Sequence, residues 1–331
     1  MTDPMTPDWT RFVDVINANQ RFLLTSHIRP DCDALGSELG MCGVLEGLGK
    51  EVTIVNGHPT PSTLSFIDPQ RRIKVLGTDT QVDELLDLDI MMVLDTSAWA
   101  QLGPMGDVIR ATKAKKIIID HHVNEDDLGA ELFKNTTAEA TGRLVVEAAE
   151  QLCVALTPEI AMPVFAAIAT DTGWFRFAST TSETYRVIAS LVDAGANPSD
   201  IYRELYEQDS AGRVRLRGLI LSRIESEVNG RLQHTYVTKE DFERTGAIPS
   251  DTEDAINLAL AISGTEFAVI FVGQQTGGFK ISFRSRCALQ CNAIAENFDG
   301  GGHKAAAGAF LEGSLDDVRR RVLDVVRSAM R

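Results

Sequence analysis

Residues 117–122 are Ile-Ile-Ile-Asp-His-His, three β-branched apolar residues followed by an acid and two histidines. A short continuous apolar run predicts a strand that is buried on both faces, as in a parallel sheet. Open α/β sheets bind their ligands beyond the carboxyl ends of such strands. A buried acid or imidazole is costly unless it is paired or bound to a metal, so the triplet is a candidate site. Taken alone, the triplet is also explained without a ligand, by one hydrogen-bonded histidine in the core beside one that is solvated.

Two other apolar runs in the first half of the chain end in the same types of side chain. The strand predicted at residues 21–26 leads into a loop that carries His27, Asp31 and Asp33, and a later apolar run ends at Asp95. The carboxylates that follow three buried parallel strands would meet at one edge of the sheet and repel one another. A shared cation resolves this conflict, so the three runs together predict a metal site.

A predicted helix contributes one more acid to this group. It begins at Thr157-Pro158-Glu159, because proline is favoured in the first turn, and it places Asp171 near its end, where Gly173 stops it. The candidate ligands are carboxylates and imidazoles without a thiolate: His27, Asp31, Asp33, Asp95, His121 and Asp171. These donors suit manganese, magnesium or iron rather than a structural zinc. Two ions about 3.5–4 Å apart that share an aspartate would hold both the attacking and the leaving oxygen of a displacement at phosphorus.

The composition is typical of a globular protein with two domains. The chain has 331 residues, of which 44% are hydrophobic and 24% are charged. No apolar run approaches the roughly 20 residues that span a bilayer, and Met1–Pro4 lacks the basic start of a signal peptide. Five cysteines, an odd number, indicate a reducing cytoplasm. Cys287 and Cys291 have no further ligands beside them, so they are expected to be packing residues rather than a zinc site.

The formal net charge of −15 restricts the class of substrate. A protein that grips long nucleic acid usually needs a basic track that neutralises many phosphates, and this chain has none. A phosphodiester substrate is therefore expected to be short, and to be held by a local cationic pocket and by metal ions.

The second half of the chain predicts a separate α/β domain. The predicted elements are helices at 182–194, 197–207 and 213–225 and strands at 232–238, 267–273 and 280–286. The boundary is expected near residue 210, in the loop between the second and third of these helices. Alternation places Lys280, Ser282, Arg284 and Arg286 on one face of the last strand, where an anion contact and a plain solvated face are equally compatible with the pattern.

A glycine-rich segment follows this basic strand. Gly300, Gly301 and Gly302 precede His303 and a run of small residues that we predict to be a helix. Glycines at such a position allow close approach of the backbone and offer N–H groups to an anion. A tight connection without a ligand would have the same composition.

Four segments of the first half together resemble the motifs of the DHH phosphoesterase superfamily. They are HIRPDCDALGS at 27–37, VLDTS at 93–97, IDHH at 119–122 and TDTGWFRF at 170–177. In the second half, SFRSR at 282–286 with the GGGH segment resembles the DHH-associated domain. The resemblance extends from about Phe12 to Val326, and the joint occurrence of the motifs in this order is specific.

The resemblance implies a role for each matching residue. His27 and Asp31 would bind one metal ion, Asp33, His121 and Asp171 would bind the other, and Asp95 would bridge the two. Asp120 would orient the site, and His122 would contact the scissile phosphate and assist the leaving oxygen. Arg284 and His303 would hold a nucleotide, with Arg286, Gly301 and Gly302 beside them. Arg143 stands where the family has a smaller or acidic residue, and we favour a helix-surface position over a phosphate contact for it.

The resemblance also implies the architecture. We expect an α/β protein whose DHH domain, residues 1–209, contains a parallel sheet and a helical connector at about 182–212. A smaller α/β DHH-associated domain would occupy 213–331, with the active site in the cleft between the two domains.

The implied activity is that of a manganese-dependent phosphoesterase, with Mg²⁺ as the alternative metal. Its substrates would be short oligoribonucleotides, cleaved to 5′-mononucleotides, and 3′-phosphoadenosine 5′-phosphate, without long nucleic acid or membrane as a partner. A linear or cyclic dinucleotide phosphodiesterase is the nearest alternative. A manganese pyrophosphatase should lack the GGGH segment, and a degenerate member that only binds nucleotides or a partner protein should lack some of the six ligands. The location is expected to be cytoplasmic, and a homodimer is compatible with the sequence.

Overall fold

The computed structural model of the protein describes residues 6–252 and 254–331. The chain forms two compact units, Met1–Glu207 and Gln208–Arg331. The expectation about Met1–Pro4 lies outside the described residues. Within the described residues, no helix has both the length and the apolar character needed to cross a membrane. The assignment of metal binding to 1–209 and of substrate binding to 213–331 stays a prediction.

The first unit contains a six-stranded sheet in which every strand pair is parallel. Its strands, in chain order, are β1 Arg21–Thr25, β2 Glu51–Asn56, β3 Ile73–Val75, β4 Ile90–Leu94, β5 Lys115–Asp120 and β6 Glu131–Lys134. The spatial order is β3-β2-β1-β4-β5-β6. All five residues of β4 are buried, which explains its continuous apolar sequence. The order of the strands reverses between β1 and β4, and a crevice for ligands forms at such a point. The predicted parallel sheet is confirmed.

From residue 6 onward, where the structure describes this unit, it contains eight α-helices. They are α1 Trp9–Asn17, α2 Cys32–Gly47, α3 Trp99–Leu102, α4 Met105–Ala111, α5 Thr141–Gln151, α6 Pro158–Asp171, α7 Ser182–Asp193 and α8 Pro198–Tyr206. Short 3₁₀ helices occupy Ser62–Ile67 and Val82–Leu85. The helix α6 begins with Pro158 and continues through Pro163 to Asp171, as its sequence predicts. The helices α7 and α8 agree with the helices predicted at 182–194 and 197–207, and Asn197 caps α8.

The helix α2 packs against α6 through a row of glycines. A Cβ atom added to Gly36 would lie 2.3 Å from the carbonyl oxygen of Pro163, and one added to Gly40 would lie 2.2 Å from Cγ2 of Val164. Atoms do not approach this closely, so the two helices can lie at their present distance only because these positions carry no side chain. Since α2 begins beside Asp31 and α6 ends at Asp171, the same packing fixes the distance between these two candidate ligands.

The second unit contains a six-stranded mixed sheet. Its strands are β7 Glu225–Glu227, β8 Leu232–Val237, β9 Phe267–Gly273, β10 Phe279–Ser285, β11 Gly301–Gly302 and β12 Ala306–Leu311. The spatial order is β11-β12-β10-β9-β8-β7, with β8 and β9 parallel and the other pairs antiparallel. Its helices are α9 Ala211–Ser222, α10 Lys239–Thr245, α11 Ala255–Leu260, α12 Cys291–Ala295 and α13 Leu315–Ala329, with 3₁₀ helices at Pro249–Thr252 and Glu296–Phe298. The predicted α/β character of this domain is confirmed.

The prediction of a helix after the three glycines is wrong. Residues 301–302 and 306–311 instead form the antiparallel pair β11 and β12, in which Gly301 lies opposite Gly308. Ala307, Ala309 and Leu311 are buried, and this period of two is that of a strand. Gly302 has a φ of 141°, which other residues rarely adopt.

Two smaller expectations also need correction. The helix predicted at 213–225 ends at Ser222, and Glu225 begins the strand β7. Of the two cysteines expected to be packing residues, Cys291 is buried but Cys287 is exposed.

The glycine contact between α2 and α6 gives a direct test of the fold. We expect Gly36→Ala to lower the free energy of unfolding by roughly 1–3 kcal/mol, because the added methyl group overpacks the helix interface. Gly106→Ala in α4 is the matched control, since its nearest neighbour would lie at an ordinary 3.4 Å. Thermal and denaturant unfolding of both variants measure the difference. Equal stability of the two variants would show that the interface tolerates a side chain.

Candidate metal centre

Three neighbouring strands present candidate ligands at their carboxyl ends. His27 lies two residues after the end of β1, Asp95 directly follows β4, and His121 directly follows β5. Asp95 has a φ of 62°, in the left-handed region that aspartate tolerates better than most residues. Its backbone N–H still donates to the carbonyl oxygen of Ile119, which ties the end of β4 to β5. The sheet therefore gathers these three side chains at one edge.

The first group of potential ligands consists of His27, Asp31 and Asp95. The Nε2 atom of His27 lies 3.4 Å from Oδ2 of Asp95 and 3.8 Å from Oδ1 of Asp31. The other ring nitrogen, Nδ1, lies 3.0 Å from the carbonyl oxygen of Ile28. A hydrogen bond at Nδ1 leaves Nε2 as the atom that faces the two acids, which is the usual arrangement of a metal-binding histidine.

The second group consists of Asp33, His121 and Asp171. The Nε2 atom of His121 lies 3.7 Å from Oδ2 of Asp33 and 3.6 Å from Oδ2 of Asp171. It also lies 3.6 Å from Oδ1 of Asp95. Asp95 thus directs one carboxylate oxygen toward each histidine, Oδ2 toward His27 and Oδ1 toward His121. A carboxylate in this position can serve two cations at once.

The pKa values of several candidate ligands are shifted because several acids are buried together. Burial raises the pKa of the Asp33 carboxyl well above its usual value, and the charges of Asp95 and Asp171 raise it further. Burial also raises the pKa of Asp171. Burial lowers the pKa of His27, but hydrogen bonds to Asp31 and Asp95 outweigh this and raise it to about 11. A divalent cation would supply the charge that protons supply otherwise, so the donor set fits divalent metals.

Backbone amides at the start of α5 complete the surroundings of Asp33. The N–H groups of Thr141 and Gly142 donate to its two carboxylate oxygens at 2.8 and 2.9 Å. The hydroxyl of Thr141 also donates to Oδ1 of Asp95 at 2.8 Å. The N-terminus of a helix favours negative charge. The sequence did not identify Thr141 and Gly142 as part of the site, although their Thr-Gly pair at a helix start was a usable signal.

A buried network positions His122. Its Nδ1 atom lies 2.8 Å from Oδ1 of Asp120, whose Oδ2 accepts from the hydroxyl of Ser97 at 2.6 Å. Lys134, on β6, lies 3.5 Å from the same Oδ2 and donates to Ser97. Burial raises the pKa of Asp120, but hydrogen bonds from His122 and Ser97 lower it by more. The hydrogen bond to Asp120 raises the pKa of His122. Sequence reasoning missed Ser97 and Lys134.

A second buried network holds the end of β1, beside His27. The side chain of Asn56 accepts from the N–H of Ser26 at 3.1 Å and donates to Glu38 at 2.9 Å. Glu38 is fully buried on α2, and burial raises its pKa to about 8. Neither Asn56 nor Glu38 was predicted, because they interact with Thr25 and Ser26 at the end of β1 and not with a candidate ligand.

Arg143 lies on α5, with 17% of its side chain exposed. Its guanidinium pairs with Glu139, which precedes the helix, at 3.2 Å and with Glu147, one turn further along α5, at 2.9 Å. These two carboxylates already accept from Nη1 and Nε of the guanidinium, the N–H groups that a phosphate would bind.

The predicted nucleotide-binding residues lie at one end of the sheet of the second unit. Arg284 on β10 lies opposite Ala306 on β12, and Gly302 lies opposite Ala307. The N–H of His303 donates to the carbonyl oxygen of Ala306 at 2.7 Å, which closes the hairpin. Gly301, Gly302 and His303 are exposed, and Arg286 follows the end of β10. The sheet thus brings the SFRSR and GGGH segments together, while their role in binding stays a prediction.

The parallel sheet, the Asp/His centre at its carboxyl edge and the mixed sheet of the second unit define a two-domain phosphoesterase. The DHH family, N-terminal domain, matches residues 21–168, and the DHHA1 domain matches residues 229–331. The chain belongs to the DHH phosphoesterase family. Proteins of this family use divalent metals.

Several proteins are similar to the chain over nearly its whole length. It is 33% identical over 312 residues to a bifunctional oligoribonuclease and PAP phosphatase NrnA from Thermus thermophilus, covering 93% of this chain and 89% of the relative. A protein of the same name from Bacillus subtilis is 28% identical, covering 96% and 97%. The crystal structure of an exopolyphosphatase-related protein from Bacteroides fragilis has a TM-score of 0.81 and 26% identity, covering 100% and 97%.

The position of Asp95 predicts the effect of its substitution. We expect Asp95→Asn to abolish most turnover and to lower the number of bound divalent ions. The reason is that Asp95 directs one carboxylate oxygen toward each of the two histidines. The fold should remain, since the buried amide retains the shape of the carboxylate. Turnover, melting temperature and metal content by elemental analysis measure the three effects. Near wild-type turnover in the folded variant would contradict a shared ligand at Asp95.

Proposed function

We propose that the protein hydrolyses short oligoribonucleotides to 5′-mononucleotides and removes the 3′-phosphate from 3′-phosphoadenosine 5′-phosphate. The observation that carries this proposal is the position of Asp95, which directs one carboxylate oxygen toward His27 of the first group and the other toward His121 of the second. The names of the Thermus and Bacillus relatives support the choice of substrates. The proposed location is the cytoplasm, and the five free cysteines are compatible with it.

The six ligands are proposed to hold two divalent cations, with manganese as the metal and magnesium as the alternative. His27 and Asp31 would hold one ion, Asp33, His121 and Asp171 the other, and Asp95 both. Divalent cations bound there would offset the charge of the phosphoryl oxygens and lower the pKa of a bound water toward neutrality. The oxygen and nitrogen donors, without a thiolate, suit these metals.

His122 is proposed to contact the scissile phosphate and to assist the leaving oxygen. Its Nδ1–H donates to Asp120, which leaves Nε2 free to face a substrate. The raised pKa of His122, which the hydrogen bond to Asp120 causes, favours a proton on Nε2 that can be given to the leaving ribose oxygen. Ser97 and Lys134 hold Asp120 in place from the opposite side.

The second unit is proposed to bind the part of the substrate that does not react. Arg284, Arg286 and His303 supply cationic or donor groups, and the backbone of Gly301 and Gly302 is free of side chains that would block an approach. Such contacts would hold one nucleotide and not a long strand. With a net charge of −15, the rest of the surface does not favour additional phosphates.

The substrate class can be tested by the dependence of rate on length. We expect kcat/KM to fall steeply from dinucleotides to a thirty-nucleotide single strand in the presence of Mn²⁺. The fall should be larger at low salt, where repulsion is least screened. 3′-Phosphoadenosine 5′-phosphate, cyclic dinucleotides and pyrophosphate complete the substrate panel. Equal rates on the shortest and the longest strand would refute the proposal, and preferred turnover of a cyclic dinucleotide or pyrophosphate would replace it.

The role of the second unit can be tested with His303→Ala. The loss of one charge-assisted hydrogen bond costs roughly 1.5–3 kcal/mol, or about ten- to a hundredfold in kcat/KM on a dinucleotide. Hydrolysis of bis-p-nitrophenyl phosphate should barely change, because this small diester has no nucleotide for the second unit to hold. Equal losses on both substrates would assign His303 to the chemistry or to the fold. The absence of any loss would reduce the GGGH segment to a tight turn.

A further inference from the structure

An exposed cluster of aromatic side chains lies beside the metal centre. This aromatic cluster consists of Trp174, Phe175, Tyr185, Tyr202 and Tyr206. The ring centroids of Trp174 and Tyr202 are 5.0 Å apart, and those of Tyr202 and Tyr206 are 4.9 Å apart. The chain has only four tyrosines, and three of them belong to this cluster.

The tyrosine rings extend outward from a packed base. Trp174 and Phe175 pack against the buried Phe165, with centroids at 6.0 and 6.1 Å. In contrast, Tyr185 is 55% exposed, Tyr202 40% and Tyr206 46%. Single exposed apolar residues are common, but a contiguous patch of large rings usually marks an interaction site. The core therefore supports the cluster, while its outer surface remains available.

The cluster is continuous with the end of α6 that carries Asp171. Trp174 lies three residues after Asp171, and its N–H donates to the carbonyl oxygen of Ala169, in the last turn of α6. The rings of Tyr202 and Tyr206 contact that of Trp174, with centroids 5.0 and 5.7 Å apart. A phosphodiester held at the centre would therefore have the aromatic cluster as its immediate neighbour.

A cationic side chain stands next to the same rings. Arg176 donates from Nε to the carbonyl oxygen of Gly173 at 2.7 Å, which directs it toward the loop after Asp171. Gly173 directly precedes Trp174, whose ring lies 5.7 Å from that of Tyr206, so Arg176 is hydrogen-bonded to the backbone beside the cluster. Among the described residues, no carboxylate forms an ion pair with Arg176 within 4.0 Å, although the chain is strongly acidic. Its guanidinium is thus available to an anion from outside the chain.

We propose, on the basis of the function proposed above, that the aromatic cluster and Arg176 bind the second nucleotide of a short RNA. The base stacks on Tyr202 and Tyr206, and a phosphate of the RNA lies at Arg176. Every base has a π face, so stacking of this kind accepts any sequence. Rings beside an Arg, next to a phosphoester centre, fit a nucleotide better than they fit a purely apolar partner.

The two proposed substrates should depend differently on this surface. A dinucleotide places a nucleoside on each side of the phosphate that reacts. In 3′-phosphoadenosine 5′-phosphate, the reacting 3′-phosphate has a nucleoside on one side only, so no second base is present. Loss of the stacking surface should therefore affect the dinucleotide and leave the bisphosphate nearly unaffected.

The test compares the double variant Tyr202→Ala/Tyr206→Ala with Tyr202→Phe/Tyr206→Phe. With Mn²⁺, we expect the alanine variant to raise KM for a 5′-phosphorylated diadenylate about tenfold or more, and to change kcat/KM for 3′-phosphoadenosine 5′-phosphate less than twofold. The phenylalanine variant retains the rings and should restore the dinucleotide KM. Equal losses on both substrates, or no loss on the dinucleotide, would overturn the proposal. Turnover of neither substrate by the unaltered protein would instead refute the proposed function itself.

Arg176→Gln and Arg186→Gln form a matched pair of charge variants. Arg186 is exposed on α7, one residue from Tyr185, but it pairs with Glu183 at 2.6 Å. We expect Arg176→Gln to lower kcat/KM for the dinucleotide about tenfold and to weaken its salt dependence, and Arg186→Gln to change neither. The same effect in both variants would indicate nonspecific charge and overturn the role of Arg176.

Tryptophan fluorescence gives a readout that does not depend on turnover or on removal of the tyrosines. In a Trp9→Phe/Trp99→Phe background, Trp174 is the remaining tryptophan. A diadenylate with a non-hydrolysable linkage, added in the presence of Mg²⁺, should change the emission of Trp174 with saturation, because a base stacks on the rings that contact it. An emission unchanged at saturating dinucleotide would overturn the proposal. Light scattering tests the alternative that a second copy of the chain covers the aromatic cluster. If the unaltered protein is a dimer and the alanine variant is a monomer, the cluster is a dimer interface.

Discussion

Repulsion between buried carboxylates is the constraint on which the rest of the first unit depends. Asp33 and Asp95 are each only 2% exposed, and Asp31 and Asp171 lie within reach of the same two histidines. Burial, reinforced by the charges of the neighbouring carboxylates, raises the pKa of Asp33 and of Asp171, and charges this close cannot all persist without compensation. Amide donors from α5 and the two histidines relieve part of it. A divalent cation relieves the remainder, so metal binding and folding of this region should stabilise each other.

The fold holds these groups together by two separate means. Parallel strands bring His27, Asp95 and His121 to one edge, and this follows from topology alone. Asp33 and Asp171 come from helices, whose positions depend on packing. The glycines of α2 allow α6 to approach so closely that an added Cβ would overlap its backbone. In this way glycines of α2, the first of them three residues after Asp33, determine how closely the ligand-bearing ends of α2 and α6 approach.

Sequence reasoning reached those parts of the structure that local patterns determine. Continuous apolar runs predicted β1, β4 and β5, and the residues after them were the ones that meet at the edge. Residues that act through distant partners were missed. Lys134 supports Asp120 across the sheet, and Asn56 supports the end of β1 from a neighbouring strand, and neither contact has a signature in the sequence. The strand β12 was taken for a helix because alanine and glycine leave the periodicity of a segment ambiguous.

The acidity of the protein and its proposed anionic substrate are compatible if recognition depends little on charge. The four acidic ligands carry four negative charges, and two divalent cations would carry an equal positive charge, so the proposed centre is neutral before the phosphodiester enters. A basic track would attract any polyanion, and its affinity would grow with every added phosphate. Stacking instead contributes a fixed binding free energy for each base that contacts a ring, and bases beyond the rings contribute nothing. A protein with a net charge of −15 that binds through neutral rings and a few local cations would therefore favour short RNA over long RNA, because length adds repulsion without adding contacts.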